Sequence, residues 1–354
     1  MSTLKGALVG FGFIAQRGHV PAYLSNSVPL EITAVADPCE ARHAAIAEAL
    51  PKARIYRDYG TLLARESLDF VDICTPPSKH MNVALAAFAR RLHVLCEKPL
   101  AMTPLEAWRM ADAATAANRV LFPAHSYRHA PVIRAVRDLL SRDLIGQVGM
   151  ATIDTYRTGH ARGVPEWCPD WRLDPRHSGG GILMDHGPHT AYLAFEWLGD
   201  HPTSVGAWTR SLRGGAVEDE AMCTLVFPRG IVRAHLSWNA GFRRVIYTLH
   251  GDRGAIRVED DEVELVVRGR DGETRSERIV QPSNWRDAGH GPWFEGVMRD
   301  FCDAIARRDV LGRDAQHAVM AINVVSAAHS SAALGGIGLS LPSLESPLAL
   351  EQSA

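Results

Sequence analysis

The chain has 354 residues, 46% of them hydrophobic, which predicts a globular protein of two domains. Its 38 Lys and Arg nearly balance 40 Asp and Glu and form no basic stripe, so a nucleic-acid partner is not expected. No apolar run is long enough to cross a bilayer, and six scattered cysteines without a CxxC pair fit a reduced compartment, so a cytoplasmic protein with no membrane partner is expected.

Residues 4–9 form a short apolar run that begins almost at once, leaving no room for a signal peptide. The run leads into Gly10-Phe11-Gly12-Phe13-Ile14-Ala15, a GxGxxA turn, and then into a helical stretch, 15–25, that Pro21 should kink or interrupt. A bare glycine pattern is weak evidence, but strand, turn and helix together make a dinucleotide fingerprint. Gly10 permits the tight turn, Gly12 lets backbone N–H groups approach a pyrophosphate, and Ala15 takes the place of the third glycine. A second apolar run, 32–36, ends at Asp37, roughly 20 residues on, where a carboxylate binds a ribose 2′-hydroxyl and repels a 2′-phosphate. NAD is therefore favoured, with NADP left open. The bland alternative is that Asp37-Pro38 only starts a turn.

Strand and helix patterns alternate as far as Pro123. Strands are predicted at 69–75, 93–96 and 120–123, and helices at 78–90 and 104–118, the last with Thr103 as N-cap and Pro104 at its first position. Such alternation predicts a doubly wound parallel sheet, a Rossmann domain over 1–124, with ligands beyond the carboxyl ends of its strands. Thr75-Pro76-Pro77 and Glu97-Lys98-Pro99 fall at those ends. After a linking helix at 131–142 the texture changes to strands at 147–156, 204–210, 221–227, 231–238, 245–250, 255–258 and 262–267, with Gly251-Asp252-Arg253-Gly254 as the clearest hairpin connection. This suggests an α+β domain over 125–343 with a mainly antiparallel sheet, a helix at 181–198 packed on it, and two helices, 293–307 and 314–333, closing the same domain. Residues 344–354 are expected to be a loose tail.

Three side chains carry the chemistry. An amine, a carboxylate and an imidazole, here Lys98, Asp185 and His189, suit alcohol–carbonyl redox chemistry, in which the amine steadies the reacting oxygen and the imidazole moves its proton. His189 is preferred as base, since an unperturbed imidazole titrates at roughly 6.5 and an amine at roughly 10.4; desolvation of Lys98 would reverse that ranking. Asp185, four residues earlier on the same helix face, would hold substrate or ring. Each has a plainer alternative: Lys98 in a surface ion pair, Asp185 as a helix cap, His189 as one of sixteen histidines in a core. Glu97 either meets the cofactor or only fixes the Lys98 turn. His186 and His189 form an HxxH pair, but Cys168 and His177 complete no known ligand pattern, so no metal is expected.

With these motifs placed, residues 4–342 resemble the Gfo/Idh/MocA family, the relatives of glucose-fructose oxidoreductase and inositol dehydrogenase. The resemblance rests on GxGxxA, Ala36-Asp37-Pro38, Thr75-Pro76-Pro77 with His80, Glu97-Lys98-Pro99, Trp171-Arg172, the glycine run Gly179-Gly180-Gly181 leading to Asp185 and His189, and Phe301-Cys302-Asp303-Ala304-Ile305. It implies an α/β protein with a large open sheet in its second domain, a cleft between the domains, and a homodimer or homotetramer. It also implies NAD(P)-dependent oxidation of a secondary alcohol on a sugar, inositol or polyol. Cofactor contacts would come from Gly10, Phe11, Gly12, Phe13, Ile14, Asp37, Thr75, Pro76, Pro77, His80, Glu97, Lys98, Trp171 and Arg172. Substrate contacts would come from Lys98, His125, Tyr156, Arg172, Asp185 and His189, with His160, Trp238, Trp285 and His290 as further sugar-reading candidates. Two other classes stay open: a redox-neutral enzyme that oxidises its substrate transiently, and a non-catalytic dinucleotide-binding regulator.

Overall fold

The computed structural model describes residues 3–269, 272–281 and 290–342; Trp285 and the expected tail lie outside them. The first sheet contains β1 (Leu4–Val9), β2 (Leu30–Ala36), β3 (Arg54–Tyr56), β4 (Phe70–Ile73), β5 (His93–Cys96) and β6 (Leu121–Pro123). All pair in parallel in the order β3-β2-β1-β4-β5-β6, the doubly wound order that opens a crevice beside β1. β4 is buried along its whole length because helices cover both faces of the sheet. Those crossovers include α1 (Val20–Leu24), α2 (His43–Ala49), α3 (Tyr59–Arg65), α4 (Pro77–Ala89) and α5 (Pro104–Ala117). α5 starts as expected: the Thr103 hydroxyl accepts the Glu106 N–H, and Glu106 reaches back to the Met102 N–H.

The stretch expected to be kinked or interrupted at Pro21 divides into two. A π-helical turn, Ala15–His19, closes with the Val20 N–H donating to the Ala15 carbonyl, and α1 then begins with Pro21 in its first turn, where a missing N–H costs nothing.

The second sheet has nine strands: β7 (Val148–Tyr156), β8 (Ser204–Arg210), β9 (Glu220–Phe227), β10 (Gly230–Ser237), β11 (Arg244–Gly251), β12 (Gly254–Glu259), β13 (Glu262–Arg268), β14 (Thr274–Val280) and β15 (Leu339–Ser340). Their order is β14-β13-β12-β11-β7-β10-β9-β8-β15; the β7–β10 pair is parallel and the other pairs are antiparallel. Alternating burial along β9 and β10 gives the sheet one core face and one open face. Along the chain α6 (Pro131–Ser141) precedes β7, and α7 (Pro175–Ser178) and α8 (Ile182–Leu198) come between β7 and β8. α8 is apolar nearly all round and fills the core face of the second sheet.

The last two helices, α9 (Gly291–Arg307) and α10 (Arg313–Ala333), do not simply close the second domain. Phe294 of α9 packs on His19, and Phe301 packs on Phe70 and Phe122, so α9 returns to the first domain and completes its core. α10 sends Ala318, Val319 and Ile322 into the core on the opposite face of the first sheet, and Ala321, Val324 and Val325 into the core of the second domain. A helix with two apolar faces ties the two layers together, and the cleft lies between them.

Candidate active site

The cleft encloses about 760 Å³ between the ends of the first sheet's strands and α8. On the first side lies the glycine turn. Gly10 has φ +88°, and a Cβ there would stand 2.9 Å from the Thr75 backbone nitrogen, so only glycine fits. A Cβ at Gly12 would meet nothing within 4 Å: it faces open space at the start of a helical run whose first N–H groups lack intrahelical partners. That is the shape and polarity a pyrophosphate needs. Asp37 ends β2 beside it, its Oδ2 accepting the Phe11 N–H at 2.6 Å and its Oδ1 the Cys39 N–H at 2.8 Å. A carboxylate has about four acceptor positions, so lone pairs remain for a ribose hydroxyl. Thr75 lines the cleft with a buried Oγ1 that has no partner among the described residues, and Pro76 and Pro77 follow it at the start of α4. These residues fit a dinucleotide.

At the far end the three reactive side chains converge. Lys98, just past β5, donates from Nζ to Asp185 Oδ1 and to the Asp185 carbonyl, both at 2.9 Å. Asp185 sits in the first turn of α8, which the glycine run makes reachable: Gly179 turns the chain at φ +79°, and a Cβ on Gly181 would strike the Glu218 carbonyl at 1.8 Å. Arg172 approaches the same Asp185 Oδ1 at 3.5 Å, while its guanidinium lies 4.3 Å from the Trp171 ring. Burial alone would raise the Asp185 pKa, but Lys98 and Arg172 outweigh it and hold the carboxyl well below its usual range. Asp185 is therefore the anion that anchors Lys98, not a partner of the His189 ring.

His189 is buried one turn along α8 and held by aromatic residues. Its Nδ1 lies 2.6 Å from the Tyr192 hydroxyl, and Tyr127 stacks on the ring at 3.8 Å and 13°. Its Nε2 has no hydrogen bond among the described residues, and the ring lines the cleft. Burial, followed by Lys98, pushes its pKa well below the ordinary histidine value, and burial does the same to His186. Both rings are neutral at pH 7. For Nε2 to accept a proton, Nδ1 must carry the ring hydrogen and donate it to Tyr192.

Glu97 carries a second network. Its Oε2 accepts the Lys98 N–H at 3.1 Å, and its Oε1 meets His19 Nε2 at 3.0 Å. The other nitrogen of His19 lies 2.7 Å from Asp72 Oδ2, which also accepts the Tyr23 hydroxyl. Burial works against a charged His19, yet the Asp72 carboxylate beside it raises its pKa well above the ordinary value. This buried imidazolium joins the first helix to the Lys98 turn. His19, Asp72 and Cys74 have the proximity of metal ligands, but the His19 nitrogens and both Asp72 oxygens are spent on hydrogen bonds within this network.

Several expected contacts lie elsewhere. His80 is fully buried outside the cleft, its ring nitrogens 2.9 and 2.8 Å from the carbonyls of Pro99 and Thr75, so it braces the two strand-end turns against each other. His125 lies behind the site, stacked on Tyr192 at 4.1 Å. Tyr156 points to the open face of the second sheet, where its hydroxyl meets His235. His160, Trp238 and His290 line the cleft, as do Phe13, Ile14, Trp171 and Arg172. The sequence reading missed His19, Arg42, Tyr127, Arg157 and Tyr192. Tyr192 was the most accessible of these, standing three residues after His189 on one helix face.

Comparison with known proteins shows the family. Residues 4–125 match the model of an oxidoreductase family with an NAD-binding Rossmann fold, and residues 133–257 match the same family's carboxy-terminal domain. The 1,5-anhydro-D-fructose reductase of Ensifer adhaerens is 32% identical over 229 residues, 63% of this chain and 67% of its own. The levoglucosan dehydrogenase of Pseudarthrobacter phenanthrenivorans is 26% identical over 337 residues, 83% of this chain and 84% of its own. A levoglucosan dehydrogenase structure in complex with NADH and levoglucosan shares the fold at TM-score 0.85 and 22% identity, covering 96% of this chain and 100% of that one. No helix among the described residues is long and apolar enough to cross a membrane. The chain belongs to the Gfo/Idh/MocA family of oxidoreductases, with that family's NAD-binding Rossmann fold as its first domain.

Proposed function

We propose that this protein reversibly oxidises a secondary alcohol of a sugar or polyol with NAD. The observation that carries the reading is the convergence of Lys98, held by Asp185, and a neutral His189 whose Nε2 has no hydrogen bond among the described residues, at the end of a cleft whose other end fits a dinucleotide. When bound, the nicotinamide supplies the hydride acceptor. Lys98 keeps a third N–H for the substrate oxygen and offsets the charge that grows there as the O–H bond breaks. His189 Nε2 takes the hydroxyl proton, and the ring cation that results keeps its Nδ1–H on Tyr192. Asp185, ionised and shared with Arg172, fixes the ammonium in place.

The test is to incubate the protein with NAD or NADP and a panel of sugars, polyols and glycosides, following both nicotinamide absorbance and products. Net NADH formation with a ketone product is expected, with NAD preferred because Asp37 stands at the ribose position. Product without net NADH would establish the redox-neutral alternative, and cofactor binding with no turnover would favour a regulator. The open sheet face exposes Met150, Trp208, Met222, Val226 and Ile231, an apolar patch suited to a homodimer or homotetramer. Light scattering of the purified protein would give a multiple of the chain mass, and a monomer would remove that part of the proposal.

A further inference from the structure

The cleft's second-domain wall holds a charge that no carboxylate among the described residues neutralises. Arg157, one residue past β7, lines the cleft with only 6% of its surface exposed. Its backbone is fixed on both sides: its N–H donates to the Ser237 carbonyl at 2.8 Å, and its carbonyl accepts the Ala240 N–H at 3.1 Å. One terminal nitrogen of the guanidinium donates to the carbonyls of Tyr156, at 2.8 Å, and Arg244, at 3.3 Å. No carboxylate among the described residues pairs with it. A buried guanidinium normally has a counter-ion, because desolvating an unpaired charge is costly.

The described neighbours do not supply one. Lys98 and Arg172 already share the Asp185 carboxylate, so it is not left for Arg157. Glu97 faces the cleft but is committed to His19 and the Lys98 N–H, and Arg162 is taken up by Asp170. His186 lies close enough to Arg157 to feel its charge and remains neutral. The cofactor's own anion, the pyrophosphate, has its place at the glycine turn on the opposite wall.

Resting on the alcohol-oxidation reading, we infer that the substrate is an anionic sugar, a uronate or aldonate whose carboxylate is bound by Arg157 while Lys98 and His189 act on a ring or chain hydroxyl. A single guanidinium matches the single charge of a carboxylate and presents its remaining N–H groups to it, in an arrangement that suits Arg better than Lys. The carboxylate places the substrate; the proton and hydride move as in the oxidation above, leaving a keto acid.

The test compares matched sets in the gluco, galacto and manno series: the uronate, the aldonate, the neutral parent sugar and its 6-phosphate. Binding to the enzyme–NADH complex is followed by calorimetry, and kcat/KM by NADH formation. In at least one series a carboxylate-bearing sugar should exceed its neutral parent by about 10-fold or more, the size of one charge-assisted hydrogen bond. Arg157→Met should collapse that acid-to-neutral ratio by a similar factor, with Arg157→Lys intermediate, and NADH affinity should report that both variants keep a folded first domain. Neutral parents bound as well as the acids in every series would overturn the inference while leaving sugar oxidation intact. A preference for the phosphates would replace the carboxylate with a phosphoryl group. Loss of NADH affinity in Arg157→Met, with the acid-to-neutral ratio unchanged, would assign Arg157 to the cofactor instead. Tight binding of an acid with no NADH formed would sustain the anion site and sink the dehydrogenase reading.

Discussion

His19 and His189 are both buried, and they carry opposite charge states. His19 lies between Asp72 and Glu97 and is held as an imidazolium; His189 lies between two tyrosines, with Lys98 nearby, and is held neutral. Burial alone disfavours the charged ring in both places, so the partners decide. A carboxylate on a ring nitrogen makes a structural cation. A phenol on a ring nitrogen leaves an imidazole that can still accept a proton. The same residue type thus serves as a fastener on one side of Glu97-Lys98 and as a candidate base on the other.

The comparison breaks most sharply by removing each ring. His189→Asn should lower kcat by about 10²–10⁴-fold, the range for losing a general base, while NADH affinity stays near wild type. Near-normal turnover in that variant, beside a dead Lys98→Met, would transfer the role of base to Lys98. His19→Leu should instead act on stability. It leaves Asp72 and part of Glu97 buried without their cation, at a cost of about 3–5 kcal/mol, read as a lower urea midpoint. A loss under 1 kcal/mol would mean that the network contributes little.

The two charge states also predict opposite pH dependences. A free histidine titrates at roughly 6.5. His19, raised in the folded protein, contributes stability that is fully present below that value and is lost as pH rises through its folded pKa. His189, His186 and His125 are lowered by burial, and His129 and His317 are pushed down to about 3, so the unfolded chain binds their protons first and stability falls as pH drops below 6.5. Melting temperature against pH should therefore form a dome. His19→Asn should flatten its alkaline side and His189→Asn should lessen its acid slope; a curve unchanged by either substitution would contradict the assigned charge states. If His189 is the base, the acid limb of kcat/KM should lie below 6.5.

How much of this was legible in the sequence depends on how local the signal is. The glycine turn, the Thr103 cap and the hairpin between β11 and β12 are written in neighbouring residues and appear where expected. β3 and β14 were missed: one has three residues, and the other reads Thr-Arg-Ser-Glu-Arg-Ile-Val, with almost nothing to bury. The destination of α9 was hidden because amphipathicity predicts that a face is covered, not what covers it. The His19 network joins residues 53 and 78 positions apart, beyond any local pattern. Tyr156 was chosen where Arg157 lines the cleft, a one-residue error that puts the chosen side chain on the other face of a strand with a period of two.

Tyr192 provides the finest test, because it separates the position of the His189 ring from its charge. Phenylalanine keeps the ring that stacks on His125 and removes only the hydroxyl 2.6 Å from Nδ1. A buried ring nitrogen left without its partner costs about 1–3 kcal/mol, but it can recover part of that by moving the hydrogen to Nε2. That tautomer presents a donor to the substrate hydroxyl where an acceptor is needed. Tyr192→Phe should therefore reduce kcat by more than it weakens substrate binding, with a modest loss of stability. A pure rise in KM would show that Tyr192 only shapes the cleft, and that the tautomer of His189 is set by something else.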